Sequence, residues 1–301
     1  MSLSQRTDQL TERLPHVMER VPEVTEAGTK ISRGIHDAVL NSGEAARSTL
    51  DVLHGTWLGH PLHPVLTDLA IGAWTMGALF DTAGLISGDR AQQEAGDALA
   101  AIGTAAAVPT ALAGLADYTT VPKPAAATAT WHALLNSANL GLYAWSLRER
   151  AKGRRGRGIL LSSLAVTLTG VSAWLGGHLV YSQKVGVDHS EHFTGPQDWR
   201  AVLNASDLEE NRPRRVEVDG KAVLLYRDSA QTYAIGAVCS HAGGPLDEGS
   251  IQGCLVECPW HNSVFDLRTG YVRHGPATQP EPCFDTRIQN GQVEIRLRQE
   301  A

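Results

Sequence analysis

The chain has 301 residues, which is enough for two ordinary domains. A formal net charge of −6 gives no reason to expect a nucleic-acid partner. Four cysteines are too few for a disulfide-rich scaffold, and their spacing favours a metal site.

Residues 1–58 form a polar, charged tail. Apolar residues at Ile31, Ile35 and Val39 have helix-like spacing, so we expect an amphipathic helix. A solvated helix is the default, and a helix on the membrane surface or against the C-terminal domain is the alternative. The first 50 residues contain no apolar segment of the kind that a secretory signal peptide requires.

Residues 59–182 are predicted to form a four-helix membrane domain, because four stretches approach the roughly 20 apolar residues that cross a bilayer. Tryptophans and a tyrosine near the ends of these stretches are typical of membrane interfaces. The alternative is a soluble Ala-rich bundle, since aspartates and asparagines are unusual within spans. The stretches are Pro64–Ile86, Ala98–Leu115, Trp131–Trp145 and Ile159–Val180.

Basic residues predict the orientation of these spans. The loop at 148–158 carries six of them, whereas the loop between spans two and three carries only Lys123. The positive-inside rule therefore places the 148–158 loop in the cytoplasm and both chain ends outside. The pair Arg154-Arg155 before an apolar helix also resembles a twin-arginine signal, although adjacent arginines arise easily by chance in such a basic loop.

With this orientation, four histidines fall at the outer membrane face: His60, His63, His132 and His178. His60 and His63 each precede a proline, which restricts them to an extended entry into the first span. One interpretation is a set of interfacial histidines that cap helices. The other is a cofactor site, either a b-type haem held by two of the histidines or a quinol site that also uses Asp68.

The segments LHGTWLGHPLHPVLTDLAIGAWTMGALFD (53–81), GLADY (114–118) and WLGGHLVY (174–181) resemble a bacterial four-helix membrane family of uncharacterised function. The resemblance covers about residues 50–185 and includes the His-Pro-x-His-Pro signature. It implies the membrane topology, but it implies no activity.

Residues 183–197 are predicted to be a linker, and residues 198–301 a small antiparallel β-domain. From about Asp198 onward, apolar residues recur with the period of two that is typical of strands. The dipeptides Asp219-Gly220 and Asn290-Gly291 predict hairpin turns between such strands.

Within the β-domain, Cys239-x-His241 is followed after sixteen residues by Cys258-x-x-His261. Two cysteines and two histidines at this spacing can bind zinc or a Rieske cluster, in which two cysteines hold one iron and two histidines the other. Each pair is predicted on its own loop, and Gly243-Gly244 allows close approach of the backbone. These features, with a third loop at 270–277, favour the cluster.

These motifs strongly resemble Rieske-type 2Fe-2S proteins over nearly all of residues 198–301. The resemblance implies that Cys239, His241, Cys258 and His261 are the cluster ligands. The extra cysteines of the cytochrome bc type are replaced by Gly244 and Trp260, so the domain is more similar to ferredoxin-type Rieske proteins and should lack their disulfide.

Comparison with the Rieske pattern gives further expectations at individual positions. Asn262 stands where the family usually has glycine, and asparagine tolerates left-handed geometry. Ser263 is a candidate donor to a cluster sulfur, whereas Phe265 replaces a tyrosine of high-potential relatives, so we expect a potential in the lower part of the Rieske range. Cys254 and Cys283 match no ligand position and are expected to be buried β-strand thiols.

The sequence thus predicts a multi-pass bacterial membrane protein with a four-helix transmembrane bundle and a C-terminal all-β Rieske domain, an antiparallel β-sandwich with cluster-binding loops. We expect an electron carrier in membrane lipid that exchanges electrons between its 2Fe-2S cluster and a haem or quinol site at the outer face, where the Rieske domain also lies. The alternatives are a tethered ferredoxin that serves a soluble oxygenase, and a redox sensor. A stand-alone catalyst is not indicated, because no nucleophile–base set or nucleotide-binding loop is present.

Overall fold

The computed structural model describes residues 21–190, 195–229 and 231–298. The chain divides into two compact units. The first, the helical unit, comprises the residues up to Asn41 together with Leu62–Val185, and the second, the β-unit, comprises Ser42–Pro61 and the chain from Gly186 onward. The predicted boundary at residues 58 and 59 does not coincide with this division, because a short N-terminal segment belongs with the β-unit.

The helical unit contains five α-helices among its described residues. Three of them, α3, α4 and α6, are long and apolar enough to cross a membrane. The fourth predicted span lies within α5, which has the length but carries charged residues in its last turn and several polar residues on its buried face. The four-helix membrane bundle therefore remains a prediction. The helices are α1 (Pro22–Asn41), α3 (Leu62–Ser87), α4 (Arg90–Tyr118), α5 (Ala126–Ala151) and α6 (Arg155–Tyr181), and α2 (Glu44–His54) belongs to the β-unit.

The predicted tail helix is present in part. Residues 1–20 lie outside the described residues, and residues 22–41 form α1. The buried residues of α1 are Gly28 and Ser32, whose hydroxyl donates to the carbonyl of Tyr118 at 3.0 Å, whereas Ile31 is 59% exposed. Small residues are selected here because the Tyr118 and Thr130 hydroxyls leave no room for a side chain at Gly28.

The core of the helical unit is built around two stacked rings. Trp74 of α3 and Tyr143 of α5 are parallel to within 2°, with ring centroids 4.1 Å apart. A Cβ at Gly103 of α4 would lie 2.5 Å from the Trp74 ring, so glycine is needed where α4 passes this side chain. Small residues such as Ala107 and Ala165 complete the cluster, as expected for helices that pack closely in lipid.

From Arg200 onward, the strands of the β-unit form two antiparallel sheets, which confirms the predicted all-β C-terminal domain. The strand orders are β1-β10-β9-β4-β3-β2 and β5-β6-β7-β8. Both predicted hairpin turns are present, because the two central residues of each turn have positive φ, as type I′ turns require. The strands are Arg200–Asn204, Arg214–Val218, Lys221–Asp228, Gln231–Gly236, Ser250–Gln252, Leu255–Glu257, Val264–Asp266, Val272–His274, Cys283–Gln289 and Gln292–Leu297, in order β1 to β10.

Strand β3 separates two apolar cores. Leu224 and Tyr226 face a core that also contains Cys239 and Cys258. Val223 and Leu225 point the other way, into a core with residues of β9 and β10, because successive side chains of a strand alternate between its faces. The two cysteines of the predicted metal site therefore pack against one face of β3, a strand whose two faces are both buried.

Candidate metal centre

The two predicted ligand pairs lie on two loops with the same backbone hydrogen bonds. In the first loop, Cys239 N–H donates to Gly244 O at 2.8 Å, and Gly243 N–H donates back to Cys239 O at 2.8 Å. In the second loop, Cys258 N–H donates to Ser263 O at 2.8 Å, and Asn262 N–H donates to Cys258 O at 3.1 Å. Each cysteine is thus the first residue of a hydrogen-bonded turn, and the two turns have the same length. These hydrogen bonds fix each cysteine side chain against the core.

The fourth residue after each cysteine is left-handed. Gly243 has φ of 79° and Asn262 has φ of 63°. The expectation that Asn262 adopts the conformation usually given to glycine is confirmed, and its side-chain amide donates to Glu257 at 2.6 Å. Asparagine is suited to this position because it tolerates left-handed backbone better than most residues.

Gly244 is needed because the two loops touch. A Cβ at this position would lie 2.8 Å from Cys258 Sγ and 3.1 Å from the Trp260 ring. The sequence indicated close approach of the backbone to a cofactor. The structure adds that this glycine lets the first loop approach the second.

The cysteines and histidines differ in burial. Cys239 and Cys258 are 1% and 2% exposed, whereas His241 and His261 are half-buried, with ring centroids 5.0 Å apart. The Cys239 thiol donates a hydrogen bond to Cys258 and lowers the pKa of the Cys258 thiol to about 7, although burial opposes this shift. The same contact, together with burial, raises the pKa of the Cys239 thiol well above its usual range. Two cysteines and two histidines are the donor set of a Rieske 2Fe-2S cluster, in which the sulfur ligands would hold one iron and the nitrogen ligands the other.

The third predicted loop also reaches the site. Ala277 N–H donates to the hydroxyl of Ser263 at 3.0 Å, and Ser263 and Phe265 are fully buried. The hydroxyl accepts this bond, so its own proton is left to donate, in keeping with the predicted role of Ser263. In the structure, part of the predicted stretch is strand β8, and the third loop runs from Gly275 to Pro282, between β8 and β9. Gly275 and Pro276 lie at its start, joined by a cis peptide bond.

Glu281 is a buried acid that sequence reasoning missed. It is 3% exposed, and its carboxylate accepts from Ser240 N–H at 2.7 Å, between the two ligands of the first loop. Burial raises the pKa of Glu281 well above its usual range. Ser240 in turn donates through its hydroxyl to Gln279 O at 2.8 Å, so Glu281 and Ser240 join the first loop to the third. A single carboxylate in a Pro-rich stretch gives no periodic signal that could have revealed this.

Of the four membrane histidines, the structure brings two together in the helical unit. His63 and His132 meet edge to face, with ring centroids 6.2 Å apart. His63 Nδ1 lies 2.9 Å from Thr110 O, and His132 Nδ1 lies 2.9 Å from Ser172 O. The Asn136 amide is 3.1 Å from His132 Nε2, so both ring nitrogens of His132 have protein partners. These contacts link all four helices α3 to α6 through one polar layer.

The other two histidines are placed differently. His178 stacks on Trp174 of its own helix, with ring centroids 5.5 Å apart. His60 is exposed and belongs to the β-unit. Gly176 of α6 accommodates His132, whose Cε1 would lie 3.1 Å from a Cβ there.

A second polar layer in the helical unit is ionic. Asp81 of α3 and Arg150 of α5 have side chains that are each 4% exposed. Arg150 donates to Asp81 at 2.9 Å and to Ser162 of α6 at 2.9 Å, and Arg155 donates to Asp81 at 2.7 Å. The sequence showed Asp81 as an unusual acid in a span and Arg150 as a loop charge, but gave no sign that they pair.

Two family models match consecutive parts of the chain. A family described as predicted membrane protein, DUF2231, matches residues 59–189. A family described as Rieske [2Fe-2S] domain matches residues 198–287. The predicted fusion of an uncharacterised membrane family with a Rieske-type domain is confirmed, and a Rieske domain implies a 2Fe-2S cluster.

Curated relatives match about a third of the chain or slightly more. Ferredoxin CarAc of Metapseudomonas resinovorans is 36% identical over 100 residues, which are 33% of this chain and 94% of that ferredoxin. The ferredoxin component of the naphthalene 1,2-dioxygenase system of Pseudomonas putida is 32% identical over 33% of this chain and 95% of that protein. Apoptosis-inducing factor 3 of Homo sapiens is 31% identical over 126 residues, or 41% of this chain, but the chain spans only 20% of its length.

Proposed function

Because the chain belongs to the Rieske [2Fe-2S] family through its C-terminal domain, we propose that it is a membrane-anchored Rieske electron-transfer protein. Cys239, His241, Cys258 and His261 hold one cluster. The observation that carries this proposal is the pair of matching loops, which bring two buried cysteines into contact with each other and two half-buried histidine rings within 5.0 Å of each other. When bound, the cluster accepts and releases a single electron.

The chain's own residues set the route of that electron. The buried cysteines close the inner side of the site, so exchange with a partner takes place on the histidine side. Trp260, next to His261, is 55% exposed and offers an apolar contact there. The named ferredoxin relatives support a protein as redox partner, and one of them is a component of a dioxygenase system. A soluble oxygenase is therefore one partner class for this chain.

Exchange with a haem or quinol at the membrane histidines is the second candidate. The contact between His63 and His132 supports it, because two histidines from different helices meet in the helical unit. The bonds of both His132 nitrogens oppose it, since an iron ligand needs one nitrogen without a protein partner. The protein partner is therefore the better supported of the two.

The location of the domain is part of the proposal. We place the chain in the bacterial cell membrane as a multi-pass protein with the Rieske domain outside the cytoplasm. Support comes from the basic residues at 148–158 and from three helices that are apolar enough to span. An oxygenase partner would require the Rieske domain to lie on the cytoplasmic side. A C-terminal reporter that is active on only one side of the membrane therefore distinguishes an oxygenase partner from a partner outside the cytoplasm.

The cluster is tested by a pair of cysteine variants in the full chain, purified from membranes without oxygen. Cys258→Ser should abolish the electron paramagnetic resonance signal of the reduced cluster, together with its iron and sulfide. Cys254→Ser should retain all three, because Cys254 lies outside the two loops and is 3.4 Å from Tyr233 Oη. Stoichiometric zinc without iron in the unsubstituted protein would contradict the cluster and would show a zinc site instead.

A further inference from the structure

A short N-terminal segment packs on the cluster loops of the β-unit. Residues 44–59, here called the clamp, comprise α2 and a turn of 3-10 helix at Thr56–Leu58. Gly55 ends α2 with φ of 84°, and Gly59 ends the turn with φ of 71°, so glycine provides both left-handed positions. The clamp lies far from the Rieske motifs in sequence, yet it belongs to the same compact unit.

Two charged residues of the clamp bind the second and third cluster loops. Arg47 donates to the carbonyl of Asn262 at 2.9 Å, at the left-handed residue directly after the ligand His261. Asp51 accepts from Gly275 N–H at 2.7 Å and lies 2.8 Å from His274 Nδ1. Arg47 and Asp51 are one helical turn apart, so one face of α2 contacts both loops.

Steric fit accompanies these bonds. A Cβ at Gly275 would lie 3.0 Å from Thr56, 3.3 Å from His54 and 3.5 Å from Asp51, all of them residues of the clamp. His54 is 2% exposed. The glycine of the third loop thus leaves space for the clamp, and Gln279 of the same loop donates to the carbonyl of Gly59.

The ferredoxin relatives leave little room for an equivalent segment. The alignment with Ferredoxin CarAc covers 94% of that protein with 100 residues of this chain, which leaves 6% of it outside. A 16-residue clamp preceding the domain does not fit in that remainder. The clamp therefore distinguishes this domain from a free ferredoxin of that size.

We propose that the clamp is a positioning element of the electron-transfer centre, which holds the second and third loops together, and that its Asp51 carboxylate lowers the reduction potential of the cluster. Reduction adds a negative charge to the cluster, and the Asp51 carboxylate of α2 binds the backbone of the third loop, which borders the site. A nearby negative charge disfavours the reduced state, most strongly where protein excludes water. The effect on potential rests on the proposed function, whereas the holding role does not.

The potential is tested with Asp51→Asn in the full chain. The substitution removes the charge and keeps a carbonyl oxygen to accept from Gly275, so the clamp should stay in place. At a fixed ambient potential, the ratio of reduced to oxidised cluster should rise about 3- to 10-fold, where tenfold equals 59 mV for a one-electron couple.

The matched control is Asp219→Asn, in the turn between β2 and β3. Asp219 has φ of 51°, which asparagine adopts readily, and its carboxylate pairs with Arg200 away from the clamp contacts. The control should shift the ratio less than twofold. Equal shifts in the two variants would contradict a specific effect of Asp51.

The holding role is tested without reference to the cluster. A protease site placed between Val185 and Gly186, where the helical unit ends, allows the C-terminal fragment to be cut from the full chain in membrane vesicles. The cut fragment should sediment with the membranes, because the clamp still binds it. Arg47→Ala with Asp51→Ala should release at least about tenfold more fragment into the supernatant.

The control for release is Arg33→Ala with Asp37→Ala on α1, exposed residues with the same four-residue spacing. It should retain the fragment as the unsubstituted chain does. Release of the fragment from the unsubstituted chain, or its retention in the Arg47 and Asp51 double variant, would contradict the holding role of the clamp. Either result would leave the proposed cluster and its electron transfer unaffected.

Discussion

The two pairs of neighbouring histidines differ in the chemical groups that surround them. His241 and His261 meet at 5.0 Å beside two buried cysteines, on loops fixed by their own backbone bonds. His63 and His132 meet at 6.2 Å in the helical unit, where Nδ1 of each lies 2.9 Å from a backbone carbonyl of another helix. Two rings in contact therefore do not define a ligand site. The further donors around them do.

The two units also use charge differently. In the helical unit, Asp81 and Arg150 are buried together and connect helices that are otherwise apolar. In the β-unit, Arg47 and Asp51 are half-buried and connect a helix to loops. A buried ion pair contributes mainly because neither charge is left uncompensated. Arg47 and Asp51 do not pair with each other, and each instead binds the backbone of a loop.

The largest expected effect is at the contact between the cluster loops. Gly244→Ala should reduce the bound iron and sulfide to less than about a tenth, because the new Cβ would lie 2.8 Å from Cys258 Sγ. The measurement is metal and sulfide content per chain after anaerobic purification. Gly243→Ala is the control, since a Cβ there meets open space and costs only about 1–2 kcal/mol of left-handed strain. Equal loss in both variants would assign the effect to backbone conformation instead of loop contact.

The ionic layer of the helical unit gives the next largest effect. Asp81→Ala leaves Arg150 buried without its main partner and should lower the free energy of unfolding by about 3–5 kcal/mol. Asp68→Ala, on the exposed side of the same helix, should change it by about 0.5 kcal/mol or less. Thermal denaturation of the detergent-solubilised chain compares the two. A small effect of Asp81→Ala would mean that Arg150 finds other partners readily.

A third variant sharpens the contrast between the histidine pairs. His132→Ala removes a half-buried ring and its bonds to Ser172 and Asn136, and should destabilise the helical unit by about 2–4 kcal/mol. The visible spectrum of the full chain should be unchanged, because the proposed function assigns it to the iron-sulfur cluster. A reduced haem α-band in the unsubstituted chain that is lost in His132→Ala would instead make this pair a ligand site.

The smallest expected effect concerns the tuning of the cluster. Ser263→Ala removes a hydroxyl that is placed to donate to the site, so reduction should become less favourable by about 1 kcal/mol. Phe265→Tyr adds a hydroxyl at a buried position and should shift the potential the opposite way. Redox titration of both variants measures the shifts. Shifts of the same sign would indicate that packing, and not hydrogen bonding to sulfur, controls the potential here.

The features that could be predicted from the sequence are those that depend on local patterns of residues. The hairpins at Asp219-Gly220 and Asn290-Gly291, the left-handed Asn262 and the two ligand loops all follow from residues close together in the chain. Local conformation and short motifs were therefore sufficient for the candidate metal centre. The expectation of two buried strand thiols was wrong in part, because Cys254 lies in the turn between β5 and β6, and both Cys254 and Cys283 are half-buried.

Contacts between distant segments were not predictable in the same way. The clamp joins Asp51 to Gly275 across 224 residues, and the tail showed only charge and helical spacing. Glu281 and the pair of Asp81 with Arg150 likewise depend on packing that no periodicity encodes. The span predicted at Trp131–Trp145 falls in α5, whose polar face contacts other helices, so its membrane role remains a prediction.

The most direct test of the account is the nitrogen coupling of the reduced cluster. The full chain is grown with ¹⁵N-labelled histidine, reduced, and measured by electron–nuclear double resonance. We predict two distinct ¹⁵N couplings, from His241 and His261, with both lost in Cys258→Ser and both retained in His63→Ala. A reduced centre without histidine nitrogen coupling, or a chain that binds zinc in place of iron, would contradict the central claim.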